Sequence, residues 1–206
     1  MRSEEIQVVF IDGGMTFSSR EDYLEFLKNR EVSVQDEQTW NDGSYLEESL
    51  ENEVVRGDMP CRDNAKYEEW RITFENYIGL LSDQVILVGL SLGGTFLAKY
   101  LSENEFPEEI VSTYLIGAPY DDDLSEEELA GGFTIKPDLS LLEENCNELT
   151  LMFSKDDDVV PVGHADKFRE RLSDPEIITY ESKNGHFQVR EFPELIAKIN
   201  TCLDQS

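Results

Sequence analysis

Positive charge is what this chain lacks most. Lysine and arginine number 17 against 45 aspartates and glutamates in 206 residues, a formal charge of −28 at pH 7. That balance excludes nucleic acid and anionic membrane surfaces as partners held by charge. Cysteine is also sparse. Cys61, Cys146 and Cys202 form an odd set without metal-ligand spacing, which fits reduced thiols better than a disulfide framework. No apolar run approaches the ~18 residues of a membrane-spanning helix. The opening residues Met1-Arg2-Ser3-Glu4-Glu5 have no apolar core of the signal-peptide kind, so a cytoplasmic protein is expected. Histidine occurs only at 164 and 186, which leaves imidazole chemistry two candidates.

What is present is a regular alternation. Ile6 to Ile11 is a short apolar strand closed by Asp12-Gly13-Gly14. Ser19 can cap a helix through Lys28, with acids in its first turn and a base near its end. Ser44 to Leu50 reads as a helix and Glu53 to Arg56 as a strand. Between Lys66 and Leu81, Trp70, Phe74, Tyr77, Ile78 and Leu81 recur at helical spacing. The second half repeats the pattern, with strands at 85–90, 110–116, 149–153 and 177–180. Helices are expected at 93–101, 139–144, 165–172 and 192–202, the last tolerating Pro193 in its first turn. Strands alternating with helices predict an α/β domain over 1–206, with a mostly parallel sheet covered on both faces. Residues 15–52 form a helical insertion in this reading. The acids are spread along the chain, with small runs at Asp121-Asp122-Asp123 and Glu126-Glu127-Glu128. They describe either a highly soluble surface or one suited to high salt.

The chemistry concentrates at Gly89-Leu90-Ser91-Leu92-Gly93. An apolar strand precedes this stretch and a helix follows it, the context a nucleophile elbow requires. In such a turn the serine stands at the strand's C-terminal edge, near the positive end of the helix. Small residues on either side let strand and helix pass closely.

A serine hydroxyl needs a base, and the base needs an orienting acid. On this architecture they follow in the order Ser, Asp or Glu, His. His186 lies in the loop 182–187 between the last strand and the last helix, where it can reach over the elbow. His164, just after Pro161, is expected to cap a helix or face solvent. The acid belongs just past the strand ending at Phe153, where Asp156, Asp157 and Asp158 stand in a row. Asp157 is the choice, with its neighbours shaping the loop. An oxyanion would be held by the Leu92 N–H and by a second N–H from Gly14 or Met15.

These residues resemble the α/β-hydrolases, and more narrowly the small serine hydrolases related to retinoblastoma-binding protein nine and the YdeN-like proteins. The likeness is strongest at Asn184-Gly185-His186-Phe187-Gln188, Glu191-Phe192 and Glu194-Leu195-Ile196. The elbow, Met59-Pro60 and the aspartates before Pro161 also fit. The resemblance implies a compact fold with little cap and places nucleophile, acid and base on Ser91, Asp157 and His186. It implies no metal and no cofactor.

Two departures stand out. Many α/β-hydrolases carry His-Gly where this chain has Asp12-Gly13, and a carboxylate there would oppose an oxyanion unless paired or turned away. The segment 15–52 is longer than the family's link. The Leu-x-Cys-x-Glu motif of retinoblastoma binding is absent, so that partner is not carried over. The expected substrate is a small-molecule acyl compound, an ester foremost. An amidase or acyltransferase would use the same residues, and a non-catalytic binding protein would keep the fold alone.

Overall fold

A computed structural model describes residues 5–32, 38–125 and 127–205. The first four residues, part of the polar link after the first helix, and Glu126 of the acidic run lie outside the described residues.

Six strands form one sheet: β1 (Gln7–Ile11), β2 (Val54–Gly57), β3 (Gln84–Leu90), β4 (Glu109–Ile116), β5 (Leu149–Ser154) and β6 (Glu176–Tyr180). Their order is β2-β1-β3-β4-β5-β6, and every neighbouring pair is parallel. Successive side chains of a strand point to opposite faces, so an all-apolar strand must be covered twice. Val8 and Phe10 join one core with Ile86 and Val88, while Val9 and Ile11 join the other with Val85 and Leu87.

The second of those cores is closed by α3 (Tyr67–Ile78), α4 (Leu92–Glu103), α5 (Ser140–Asn145) and α6 (His164–Arg169). The first is closed by α2 (Tyr45–Ser49) and α7 (Pro193–Leu203), with Trp40 filling the gap. The stripe expected on α3 is buried at Trp70, Phe74 and Ile78. Tyr77 is only half-buried, because its hydroxyl reaches out to accept the Asp58 N–H at 3.1 Å. Helix α1 (Arg20–Asn29) starts at Ser19, whose side chain accepts the Asp22 N–H. It buries no residue in the core and is held by Phe17, whose ring packs on Tyr23 and Phe26. No described helix is long and apolar enough to cross a membrane.

Because all six strands run the same way, their C-terminal ends share one edge. The turns leaving β1, β3, β4, β5 and β6 meet there, as open parallel sheets dictate for their sites.

Candidate active site

The turn after β3 is as tight as its sequence demands. Ser91 has φ 54° and ψ −124°, a left-sided conformation unfavourable for a residue with a Cβ. Two constraints hold it. Its N–H donates to Ile116 O at 2.8 Å, and α4 begins at the next residue. The flanking glycines are obligatory by space. A Cβ on Gly89 would lie 2.6 Å from Gly94 Cα, and one on Gly93 only 2.2 Å from Ile11 O. Strand β1 therefore passes directly beneath the helix start. A Cβ on Gly13 would lie 3.1 Å from Ser91 Cβ, so the turn after β1 lies against the serine.

The run of three aspartates after β5 divides its work. The Asp157 side chain is 1% exposed, accepts the Val159 and Val160 N–H groups at 3.0 and 2.8 Å on Oδ1, and meets His186 Nδ1 at 2.7 Å on Oδ2. The two backbone bonds fix the carboxylate, and the imidazole Nδ1–H donates to its free oxygen. Asp156 holds the histidine loop instead. It accepts from the Ser154 and Ser182 hydroxyls and from the Lys183 and Gly185 N–H groups. Hydrogen bonds from the two serines and then the two amides hold its carboxyl far below the usual range. Asp158 sits at the Gly185 turn, 3.1 Å from where a Cβ there would lie.

The histidine loop takes positive φ at Asn184, Gly185 and Phe187. It is braced from behind by the Trp40 indole, which donates to Phe187 O at 3.1 Å. His186 itself is 13% exposed. It leans on Gly117, where a Cβ would come within 3.0 Å of its Cε1. Gly117 follows the Ile116 whose carbonyl takes the Ser91 N–H, so imidazole and serine share one corner. His186 Nε2 is enclosed and makes no hydrogen bond among the described residues, the Ser91 hydroxyl included. Catalytic hydrogen bonds are often loose until substrate is bound.

The two candidates for the second oxyanion donor differ. Met15 donates its N–H to Arg62 O at 2.7 Å. Gly13 donates to Asp12 Oδ1 at 2.8 Å. Among the described residues nothing accepts the Gly14 N–H. Leu92, the first residue of α4, has an N–H the helix ladder does not use. The carboxylate of Asp12 is paired: Arg62 Nη2 lies at 2.5 Å, and the Asn41 amide donates at 3.1 Å.

Two further residues at the site gave no sequence signal. Arg62 is one. Glu127 is the other: it lines a narrow pocket with Gly14, Ser91, Leu92, Pro119 and Val160, whose free volume of about 10 Å³ holds roughly one water. Burial, against a smaller opposing pull from His186, raises its carboxyl above the usual range. On the other side of the Gly13–Met15 turn, Phe26 and Arg30 line an open cleft of about 490 Å³.

His164 corrects the sequence reading. It is 1% exposed, not a solvent-facing cap. Its Nδ1 accepts the Tyr120 N–H at 3.0 Å and its Nε2 lies 2.8 Å from Asp123 O. The acidic loop folds over the start of α6 and buries the ring. Desolvation pushes its pKa down, favouring the neutral form that this pair of bonds requires.

A family model described as serine hydrolase matches residues 34–200. Among solved structures, the ydeN gene product of B. subtilis superposes with TM-score 0.71 at 17% identity, covering 97% of this chain and 99% of that one. A putative YdeN-like hydrolase from Pectobacterium atrosepticum gives 0.67 at 13%, covering 98% and 92%. The meta-cleavage product hydrolase CumD of Pseudomonas fluorescens gives 0.64 at 12%, covering 99% and 92%. No curated protein matches in sequence. With the family model spanning most of the chain and the fold shared with these structures, the chain belongs to the serine hydrolase family and has the α/β-hydrolase fold.

Proposed function

We propose that the chain is a carboxylesterase-like hydrolase of small esters that works through an acyl-enzyme on Ser91. The observation that carries this reading is the short bond between buried Asp157 and His186, set beside a serine in the strained conformation of an elbow. His186 Nε2 takes the Ser91 proton as the hydroxyl attacks the carbonyl, and Asp157 holds the ring in the tautomer that leaves Nε2 free. The oxyanion receives the Leu92 and Gly14 N–H groups. His186 then protonates the leaving alcohol. Water, deprotonated by the same nitrogen, releases the acid. These steps draw on protein groups alone.

The pocket beside Ser91 favours a short acyl group, since it has room for little more than one water before side chains move. Residues 1–206 act as one hydrolase domain in this reading. The inserted segment 15–52 contributes Phe26 and Arg30 to the open cleft beside the Gly13–Met15 turn.

A fluorophosphonate probe and a series of p-nitrophenyl esters test it together. The folded protein is expected to label once. Acetate and butyrate esters should turn over faster than octanoate. Ser91→Ala should lose both labelling and turnover. Labelling that survives Ser91→Ala would sink the assignment.

A further inference from the structure

Arg62 grips the turn after β1 at three points. Its Nε donates to Gly13 O at 2.9 Å, its Nη2 pairs with Asp12 at 2.5 Å, and its own carbonyl accepts the Met15 N–H at 2.7 Å. These contacts lie on both sides of Gly14. They occupy the Met15 N–H directly, and they hold Asp12, which occupies the Gly13 N–H. Of the Gly13, Gly14 and Met15 amides, that of Gly14 meets no acceptor among the described residues. The fit at this residue is close: a Cβ on Gly14 would lie 2.6 Å from Arg62 O and 3.2 Å from the Trp70 ring.

We propose that Arg62 is a positioning residue that, through Asp12, presents the Gly14 N–H to the oxyanion and cancels the negative charge that Asp12 brings to the same turn. The inference rests on the esterase reading of Ser91. Asp12 alone would be harmful here. Its carboxylate is largely buried and lies on the turn packed against the nucleophile, so unpaired it would repel the negative charge that develops on the carbonyl oxygen. Paired, it becomes the second handle by which the guanidinium fixes the turn. Asn41 donates to its other oxygen at 3.1 Å and keeps that oxygen turned toward the protein. The planar fork of arginine suits this double grip, one N–H to a carbonyl and one to a carboxylate. A lysine ammonium has no such fixed geometry.

The test uses the full chain and p-nitrophenyl acetate, with active sites titrated by a fluorophosphonate. Arg62→Ala keeps the backbone carbonyl on Met15 and removes the guanidinium with its aliphatic stem. Per titrated site, kcat should fall roughly a hundredfold, the loss typical of one oxyanion donor, with KM changing only a few-fold. Arg62→Lys should recover a minor part. The decisive variant is Asp12→Asn with Arg62→Ala. It removes the stranded charge and should regain at least about tenfold of the lost kcat, although it carries one substitution more. A merely structural role would lower the melting temperature and the titratable fraction while leaving kcat per site unchanged. Arg62→Ala within twofold of the parent, or a double variant no better than Arg62→Ala, overturns the proposal. Failure of the parent protein to label or to hydrolyse any ester overturns the esterase reading itself, and this inference with it.

Discussion

Glu127 shows most clearly what a single residue can cost and why it stays. It shares a narrow pocket with Leu92, Pro119 and Val160, forms no ion pair among the described residues, and burial raises its pKa. The fold thus favours the protonated form. Ionisation weakens the fold as pH rises above the ordinary carboxylate range near 4.5, and the penalty vanishes below that range. Glu127→Gln is therefore expected to raise the urea midpoint at pH 7 and leave it unchanged at pH 4. A midpoint that falls at pH 7 would mean the carboxylate is stabilising. The same variant is expected to weaken any preference for esters with a cationic group, since among the described residues only Glu127 and Glu128 bring charge to the lining of that pocket. Residues of this kind are invisible in the sequence, where Glu127 is one acid in a run of three. Arg62 is equally silent, because its partner Asp12 lies 50 positions away. The pairing of Asp157 with His186 is legible for the opposite reason: chain order and the strand before each leave few alternatives. His164 was misread because nothing in the local sequence tells that an acidic loop folds over a helix start.

Elements follow from spacing and composition, and so were readable almost throughout. Alternation of apolar strands with amphipathic helices leaves a parallel sheet as the arrangement that covers both faces. What spacing does not give is how closely two elements pass. Helix α4 and strand β1 approach at Gly93, where a Cβ would lie 2.2 Å from Ile11 O and 2.7 Å from Asp12 O. No side-chain rotation relieves a clash between a Cβ and backbone oxygens. Gly93→Ala should lower stability by about 3 kcal/mol or more in urea denaturation, the upper end of overpacking losses. Any folded fraction should label with a fluorophosphonate more slowly, because the displaced segment is the one that leads into Gly14. A loss below about 1 kcal/mol would show that β1 yields easily, and with it that the turn is not held firmly.

The whole molecule carries a charge of −28 on a chain whose cations are largely committed to local pairs, such as Arg56 with Glu47 and Lys198 with Glu176. Self-repulsion at this charge density opposes the compact state, and salt weakens it as the screening length shrinks from about 10 Å at 0.1 M to about 3 Å at 1 M. The melting temperature should therefore climb between low and molar sodium chloride. The surface charge has a second effect of opposite sign. A negative field concentrates cations and repels anions near the cleft, so kcat/KM should fall with salt for a cationic ester and rise for an anionic one, while an uncharged ester stays level. The two effects separate a general electrostatic burden from a functional field. A melting temperature that does not rise removes the repulsion argument and, with it, the idea of a surface suited to high salt. Level kcat/KM for all three esters would place the field away from the site. The positive charge of Arg30 at the open cleft, where Arg62 is neutralised by Asp12, is the feature that would produce that outcome. In that case Arg30→Glu should restore the salt dependence for the cationic ester without touching the turn that presents Gly14.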